Sequence, residues 1–210
     1  SETVLEDKDI DRELTERFLK IVVGETDRMI RIVKDLMVLS RLDNNKLEWH
    51  FEKYSLPELI KRVYDAMTIE AKKHKQLLEV SVEPSIGEIV GDKEKIEQVL
   101  INIVSNAIKY TPDGGSIKID AAIHRSSVYI KVSDTGIGIP KKDLTKVFDR
   151  FYRVDKARSR EMGGTGLGLA IAKEIVEAHN GKIAITSRID DGTEVIIQLP
   201  LTQEDTQVLN

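Results

Sequence analysis

The chain has 210 residues, 40% of them hydrophobic and 32% charged, with 36 acidic against 32 basic side chains and a net charge of −4. That length suits one ordinary domain with a helical appendage, and the negative balance excludes the basic footprint of a nucleic-acid binder. The absence of cysteine excludes disulfide and thiolate chemistry, His50, His74, His124 and His179 lack metal-ligand spacing, and no apolar run approaches the ~20 residues that span a bilayer.

Residues 1–13 are acidic and carry little apolar periodicity. From Leu14 the pattern turns helical: Leu14, Phe18, Ile21, Met29, Ile32, Leu36 and Leu39 form one stripe, with Lys20, Arg31 and Lys34 off it. A helix of about 30 residues is longer than a compact domain usually needs. It is either a surface helix of its own domain or half of a dimerising hairpin, and the length of the stripe favours the hairpin. Asp43-Asn44-Asn45 supplies the turn that ends it. Residues 46–55 read as a short strand. Ser55 and Glu58 form a capping box for a helix running to about Lys75. Leu77–Val82 alternates as a strand, and Asp92 caps a helix over 93–110. Thr111–Gly115 is a turn; Ser116–Ala122 and Ser127–Asp134 predict a hairpin. Residues 135–165 are irregular apart from a short helix near Lys141–Phe148. Gly166–His179 is helical, and Lys182–Ser187 with Glu194–Leu199 closes a last hairpin. The tail from Gln203 is expected to fray. Antiparallel runs with helices on one face imply an α+β two-layer sandwich, not a doubly wound Rossmann sheet.

Three blocks and a glycine run carry chemistry. On the third helix Ile96, Val99, Leu100, Ile103, Val104 and Ala107 make the core face. Asn102, Asn106, Lys109 and Tyr110 share a neighbouring face. Asparagine is a poor helix former, so two of them one turn apart call for a reason. Solvent-facing polarity is one. The other is a neutral oxygen ligand for Mg²⁺ with phosphate contacts, a chemistry that suits that hard cation. In Val128–Pro140, strand parity turns Asp134 to the same side as Val128, Ile130 and Val132. A buried carboxylate needs a partner, and an adenine amino group is a suitable donor; a capping aspartate is the plainer reading. Gly136 and Gly138 would let the backbone approach the base. Phe148–Arg153 precedes the charged stretch Asp155–Glu161, a combination that suits a lid. Arg153 or Arg150 would reach a terminal phosphate; a surface loop with buried aromatics is the alternative. Finally, Gly163-Gly164-Thr165-Gly166-Leu167-Gly168 runs straight into an apolar helix. Glycines there let the backbone close on an anion held by the helix's first N–H groups.

Taken together, the blocks resemble the ATP-binding domain of sensor histidine kinases, in the fold shared with gyrase, Hsp90 and MutL. Asn102–Tyr110 corresponds to the N box, Asp134–Gly138 to G1, Phe148–Tyr152 to F and Gly164–Gly168 to G2, with Gly192-Thr193 as a weaker last block. The stretches Ile139–Asp143 and Phe148–Arg158 are similar to the WalK/VicK-type kinases of low-GC Gram-positive bacteria. Leu36–Asp43 resembles the end of the second helix of the family's dimerisation hairpin.

The resemblance implies a mixed, mostly antiparallel sheet. It divides the chain into a truncated hairpin (1–45), an ATP-binding domain (46–202) and a disordered tail (203–210). It implies Mg²⁺ on Asn106, and Asn102, Lys109 and Arg153 around the phosphates. It implies Tyr110 along the adenine, Asp134 on its amino group, and Gly164, Thr165, Gly166, Leu167 and Gly168 as the phosphate cradle. Gly136, Gly138, Ile139, Phe151, Tyr152 and Thr193 complete the nucleotide-binding set. The implied partners are ATP or ADP, a second copy in the full-length homodimer and a cognate response regulator, with no nucleic acid. The implied place is the cytoplasmic portion of a bacterial plasma-membrane kinase, this part not membrane-embedded.

One departure stands out. The family's phosphoacceptor lies in a His-Glu-Leu-Arg-Thr-Pro type motif, and no histidine here has that context. The chain is expected to begin after that motif and not to autophosphorylate alone. In the hydrolase branch of the fold, a glutamate stands one turn before the metal-binding asparagine. Asn102 holds that place here and cannot act as a general base. ATP hydrolysis and a non-catalytic nucleotide-binding module are the alternatives to the kinase reading.

Overall fold

The computed structural model describes residues 12–44, 46–155 and 164–202. Expectations placed on residues 1–11, Gly163, the charged run 156–161 and the tail from 203 lie outside the described residues.

Helix α1 spans Arg12–Asp43, close to the predicted start at Leu14. Strand β1 is Phe51–Ser55, half the length predicted for 46–55. Its partner β3 (Glu88–Asp92) is the reason. The antiparallel ladder ends at Phe51↔Asp92, where Asp92 turns to cap the next helix. β3 is absent from the sequence-based reading: five residues containing Gly91 give too short a pattern. Helix α2 (Leu56–Lys73) starts where the Ser55 hydroxyl accepts the Glu58 N–H. Strand β2 is Leu77–Val82, as predicted. Helix α3 (Lys93–Tyr110) begins with Asp92 Oδ1 accepting the Lys95 N–H at 3.1 Å.

Strands β4 (Ser116–His124) and β5 (Ser127–Asp134) form the expected hairpin. Helix α4 covers Gly168–Ala178, and β6 (Lys182–Ser187) pairs with β7 (Thr193–Pro200). The short helix predicted near Lys141–Phe148 is instead a chain of tight turns. The N–H groups of Asp143, Lys146 and Asp149 donate to the carbonyls of Pro140, Asp143 and Lys146. Tyr152 Oη donates to Asp143 Oδ1 at 2.7 Å and ties the turns to the following segment.

The main sheet has the order β2-β4-β5-β7-β6, antiparallel except for the parallel pair β2–β4. β1 and β3 make a separate two-stranded sheet. The α+β two-layer expectation holds. Ile117, Ile119 and Ala121 of β4 alternate inward with Val128, Ile130 and Val132 of β5 and Val195, Ile197 and Leu199 of β7. They meet Val63 of α2, Val99 and Ile103 of α3, and Ile171 and Ile175 of α4 in one core. Opposite-parity residues face outward, where Lys118 pairs with Asp120 and Lys131 with Glu194.

α3 and α4 are tied at one end through His179. Its Nε2 accepts the Asp92 N–H at 2.9 Å while Nδ1 bonds the Ile175 carbonyl at 2.8 Å. Nε2 is therefore unprotonated and Nδ1 carries the proton. Trp49 meets the imidazole edge-on at 5.4 Å and Phe51 lies 4.9 Å away. Burial holds the imidazole below the usual histidine range.

α1 meets this body along its C-terminal half. Leu39 is 3% exposed and belongs to the core, whereas Phe18, Ile21 and Met29 of the same stripe are exposed. None of the helices among the described residues is long and apolar enough to cross a membrane.

Candidate nucleotide site

A cavity of about 500 Å³ opens between α3, the end of β5, the segment after it and the start of α4. Its walls bring together predicted residues from all the sequence blocks: Asn102, Asn106, Lys109 and Tyr110 from α3, and Asp134, Gly138 and Ile139 from the end of β5. Tyr152 and Arg153 come from the F-box segment, Gly164, Thr165, Gly166 and Gly168 from the glycine run, and Thr193 from β7. Val132, Ile137, Ile185 and Val195 add an apolar lining.

α3 works as a ruler along this cavity. At one end the Asn102 amide donates to the Gly168 carbonyl at 3.2 Å, fastening the first residue of α4. At the other the Tyr110 carbonyl accepts the Ile137 N–H at 3.1 Å, fastening the loop after Asp134. Eight residues of helix place these two fastenings about 12 Å apart along the axis. The first-turn N–H groups of α4 lack intrahelical acceptors, and Gly168 and Leu169 line the cavity there. The Leu167 N–H is already taken by the Thr165 hydroxyl at 3.2 Å.

Asp134 is held by two backbone donors. Its Oδ1 accepts from the N–H groups of Gly136 at 2.8 Å and Thr193 at 3.1 Å. Burial raises its pKa, and the two amides oppose that rise. Lys109 is pushed down to about 8, first by burial and then by the charges of Arg153, Arg31 and Arg28. The Arg153 guanidinium donates to the Gly164 carbonyl, which joins the F-box segment to the glycine run. Gly138, at φ +68°, has a different task from the one its sequence context suggests. A Cβ there would stand 1.8 Å from the Arg188 carbonyl oxygen, so the glycine lets this loop lock onto the β6–β7 hairpin.

Four predicted residues do not line the cavity. Gly136 is pinned over the Tyr110 carbonyl and supplies its N–H to Asp134. Phe151 is 56% exposed, because its backbone at φ +64° turns the ring outward while its N–H bonds Gly166. Leu167 is fully buried in the core beneath the cradle. Arg150 also turns away: its Nη1 and Nη2 hold Asp43 of α1 at 2.7 and 2.5 Å, and Nη2 reaches Glu174 at 3.4 Å. Two residues missed by sequence reasoning, Arg31 and Asp35 of α1, line the cavity. Arg28, Arg31 and Asp35 recur at helical spacing, a charged column beside the apolar stripe. That column was the available signal.

Residues 91–203 match the family described as histidine kinase-, DNA gyrase B-, and HSP90-like ATPase. The chain belongs to this family. It is 44% identical over 195 residues to the sensor histidine kinase WalK of Bacillus subtilis (strain 168), covering 92% of this chain and 32% of that protein. The chain thus spans less than a third of that relative's length. Among solved structures, the catalytic domain of histidine kinase ThkA matches with a TM-score of 0.65 and 32% identity, over 73% of this chain and 97% of that one. A structure of ThkA with the response regulator protein TrrA matches with a TM-score of 0.75 and 29% identity, over 93% of this chain and 54% of that one.

Proposed function

We propose that the chain is the ATP-binding catalytic part of a two-component sensor histidine kinase, handing the γ-phosphoryl of Mg-ATP to a histidine on the dimerisation hairpin. The observation that carries this reading is one cavity holding both an accepting carboxylate, Asp134, and a cationic cluster beside a helix N-terminus. An adenine amino group suits the first, and a polyphosphate suits the second. Tyr110 offers its ring to the base. Lys109 and Arg153 balance phosphate charge and orient the terminal phosphoryl group, and positioning of this kind is most of what phosphoryl transfer asks of a protein.

The donor set fits Mg²⁺ held mainly by the nucleotide. Asn106 offers one neutral oxygen to the cavity, and no group of acidic or histidine ligands is present among the described residues. When bound, the metal would neutralise phosphate charge, with Asn106 as its protein ligand and phosphate oxygens and water as the rest.

Asn102 favours transfer over hydrolysis. Its amide group is committed to the Gly168 carbonyl, and it has no basic atom with which to activate water. Exposed apolar side chains along α1 support a homodimer through the hairpin in the longer protein. A response regulator is the onward acceptor in this reading, placed on the cytoplasmic face of a membrane-anchored kinase.

The test mixes this chain with γ-labelled ATP and a separate hairpin fragment carrying the family's histidine motif. Acid-labile label on that fragment is expected, with none on the chain incubated alone. ATP binding without transfer would favour a non-catalytic module, and rapid phosphate release would favour a hydrolase.

A further inference from the structure

Helix α1 does more than lead into the domain. Arg31 and Asp35, one turn apart, line the same cavity as Asn102, Lys109 and Arg153. Asp35 Oδ2 accepts the Thr165 hydroxyl at 2.9 Å, the same hydroxyl whose oxygen takes the Leu167 N–H at the start of α4. One turn on, Leu39 is buried in the core, and at the helix end Asp43 is held by Arg150. These contacts lay the Arg31–Asp35 turn across the glycine run. One turn earlier, Arg28 pairs with Glu25 at 3.0 Å, and its Nε is buried with no partner among the described residues.

We propose that α1 is part of the nucleotide site: Arg31, backed by Arg28, attracts the terminal phosphates, and Asp35 opposes them with a like charge. This rests on the reading of the cavity as a Mg-ATP site. Electrostatic reach is evident from the depressed pKa of Lys109, to which Arg31 and Arg28 both contribute. Asp35 is itself pushed up by burial, with the Thr165 hydroxyl and Arg31 opposing the rise. An incoming triphosphate relieves the crowding of cations and aggravates the position of the carboxylate. Asp134, which would hold the adenine end, bonds Gly136 and Thr193, whereas Asp35 bonds Thr165 of the glycine run, so the effect is expected to grow with the number of phosphates. Docking of α1 and occupancy of the cavity are then reciprocally linked.

The experiment titrates the whole chain and its variants with ATP, ADP and AMP in the presence of Mg²⁺, by calorimetry. Arg31→Gln is expected to weaken ATP by about fivefold and AMP hardly at all, the size of one partly exposed charge pair. Arg31→Lys should recover most of that loss. Asp35→Asn keeps an oxygen for the Thr165 hydroxyl but drops the charge, and should tighten ATP by about twofold to threefold. Opposite signs in the two variants are a result that mere loss of folding does not mimic. Equal weakening of all three nucleotides by Arg31→Gln, no change at all, or weaker ATP binding by Asp35→Asn would overturn the inference while leaving the Mg-ATP reading standing. Failure of the unaltered chain to bind ATP would overturn that reading and the inference with it.

Discussion

Single side chains in this molecule are tuned by burial against a few donors. Asp134 spends one oxygen on two backbone amides, and in the proposed site the other would accept the adenine amino group. Asp134→Asn retains an acceptor for those amides but presents an amide donor where the base also donates. Affinity for adenine nucleotides is expected to fall about ten- to hundredfold, with inorganic pyrophosphate binding unchanged, both read by calorimetry. If Lys109 meets the phosphates as proposed, it makes binding pH-dependent. With its pKa lowered to about 8, its charge is present below that value and lost above it. ATP affinity should therefore decline between pH 7 and 9. Binding near pH 8 should take up protons, because the phosphates favour the charged amine. Enthalpies measured in buffers of different ionisation heat check this. His179 works in the opposite window. Its folded pKa lies below the unfolded value of about 6.5, so its contribution to stability is present above that pH and lost as pH falls through the folded pKa. Melting temperature should drop between pH 7 and 5, and His179→Gln, which keeps an acceptor for Asp92, should flatten that slope.

Among the elements, caps and turns were easier to read in advance than partners. Ser55 and Asp92 announced α2 and α3 because a cap is a local bond to an amide three residues on. Asn102 and Asn106 announced the cavity wall, since helical spacing alone puts them on one face. β3 stayed hidden because its five residues become a strand only by meeting β1, a tertiary event. The turns at Asp143–Asp149 passed for a helix because their polar and apolar spacing fits either state. Arg31 and Asp35 belong to a charged column that helical spacing reveals, but the spacing alone does not say that another part of the chain covers that flank. Glycines also separate at this scale. Gly138→Ala drives a Cβ into the Arg188 carbonyl and should cost about 1–3 kcal/mol in chemical denaturation. Gly168→Ala meets only ordinary contact with Asn102 and should stay within about 0.5 kcal/mol.

At the scale of the whole molecule, α1 is held by few contacts relative to its length. Arg150 keeps the Asp43 carboxyl below the usual range through their hydrogen bonds. Removing that grip with Arg150→Ala should raise amide exchange in the last turns of α1 and leave the main sheet protected, as mass-resolved hydrogen exchange can show. Added salt should act in the same direction and more weakly on the variant. The sheet order has a further consequence. β5 and β7 are neighbours, yet the chain leaves β5 at Asp134 and returns to the sheet only with β6 at Lys182. The described residues between, apart from α4, form an excursion whose ends are already pinned by pairing that does not depend on its length. Loop-closure entropy grows only with the logarithm of length, so residues added to this excursion would cost the scaffold little. Lineages sharing this framework are thus at liberty to lengthen or shorten the excursion, and with it the mouth of the cavity, while the strands beneath keep their register.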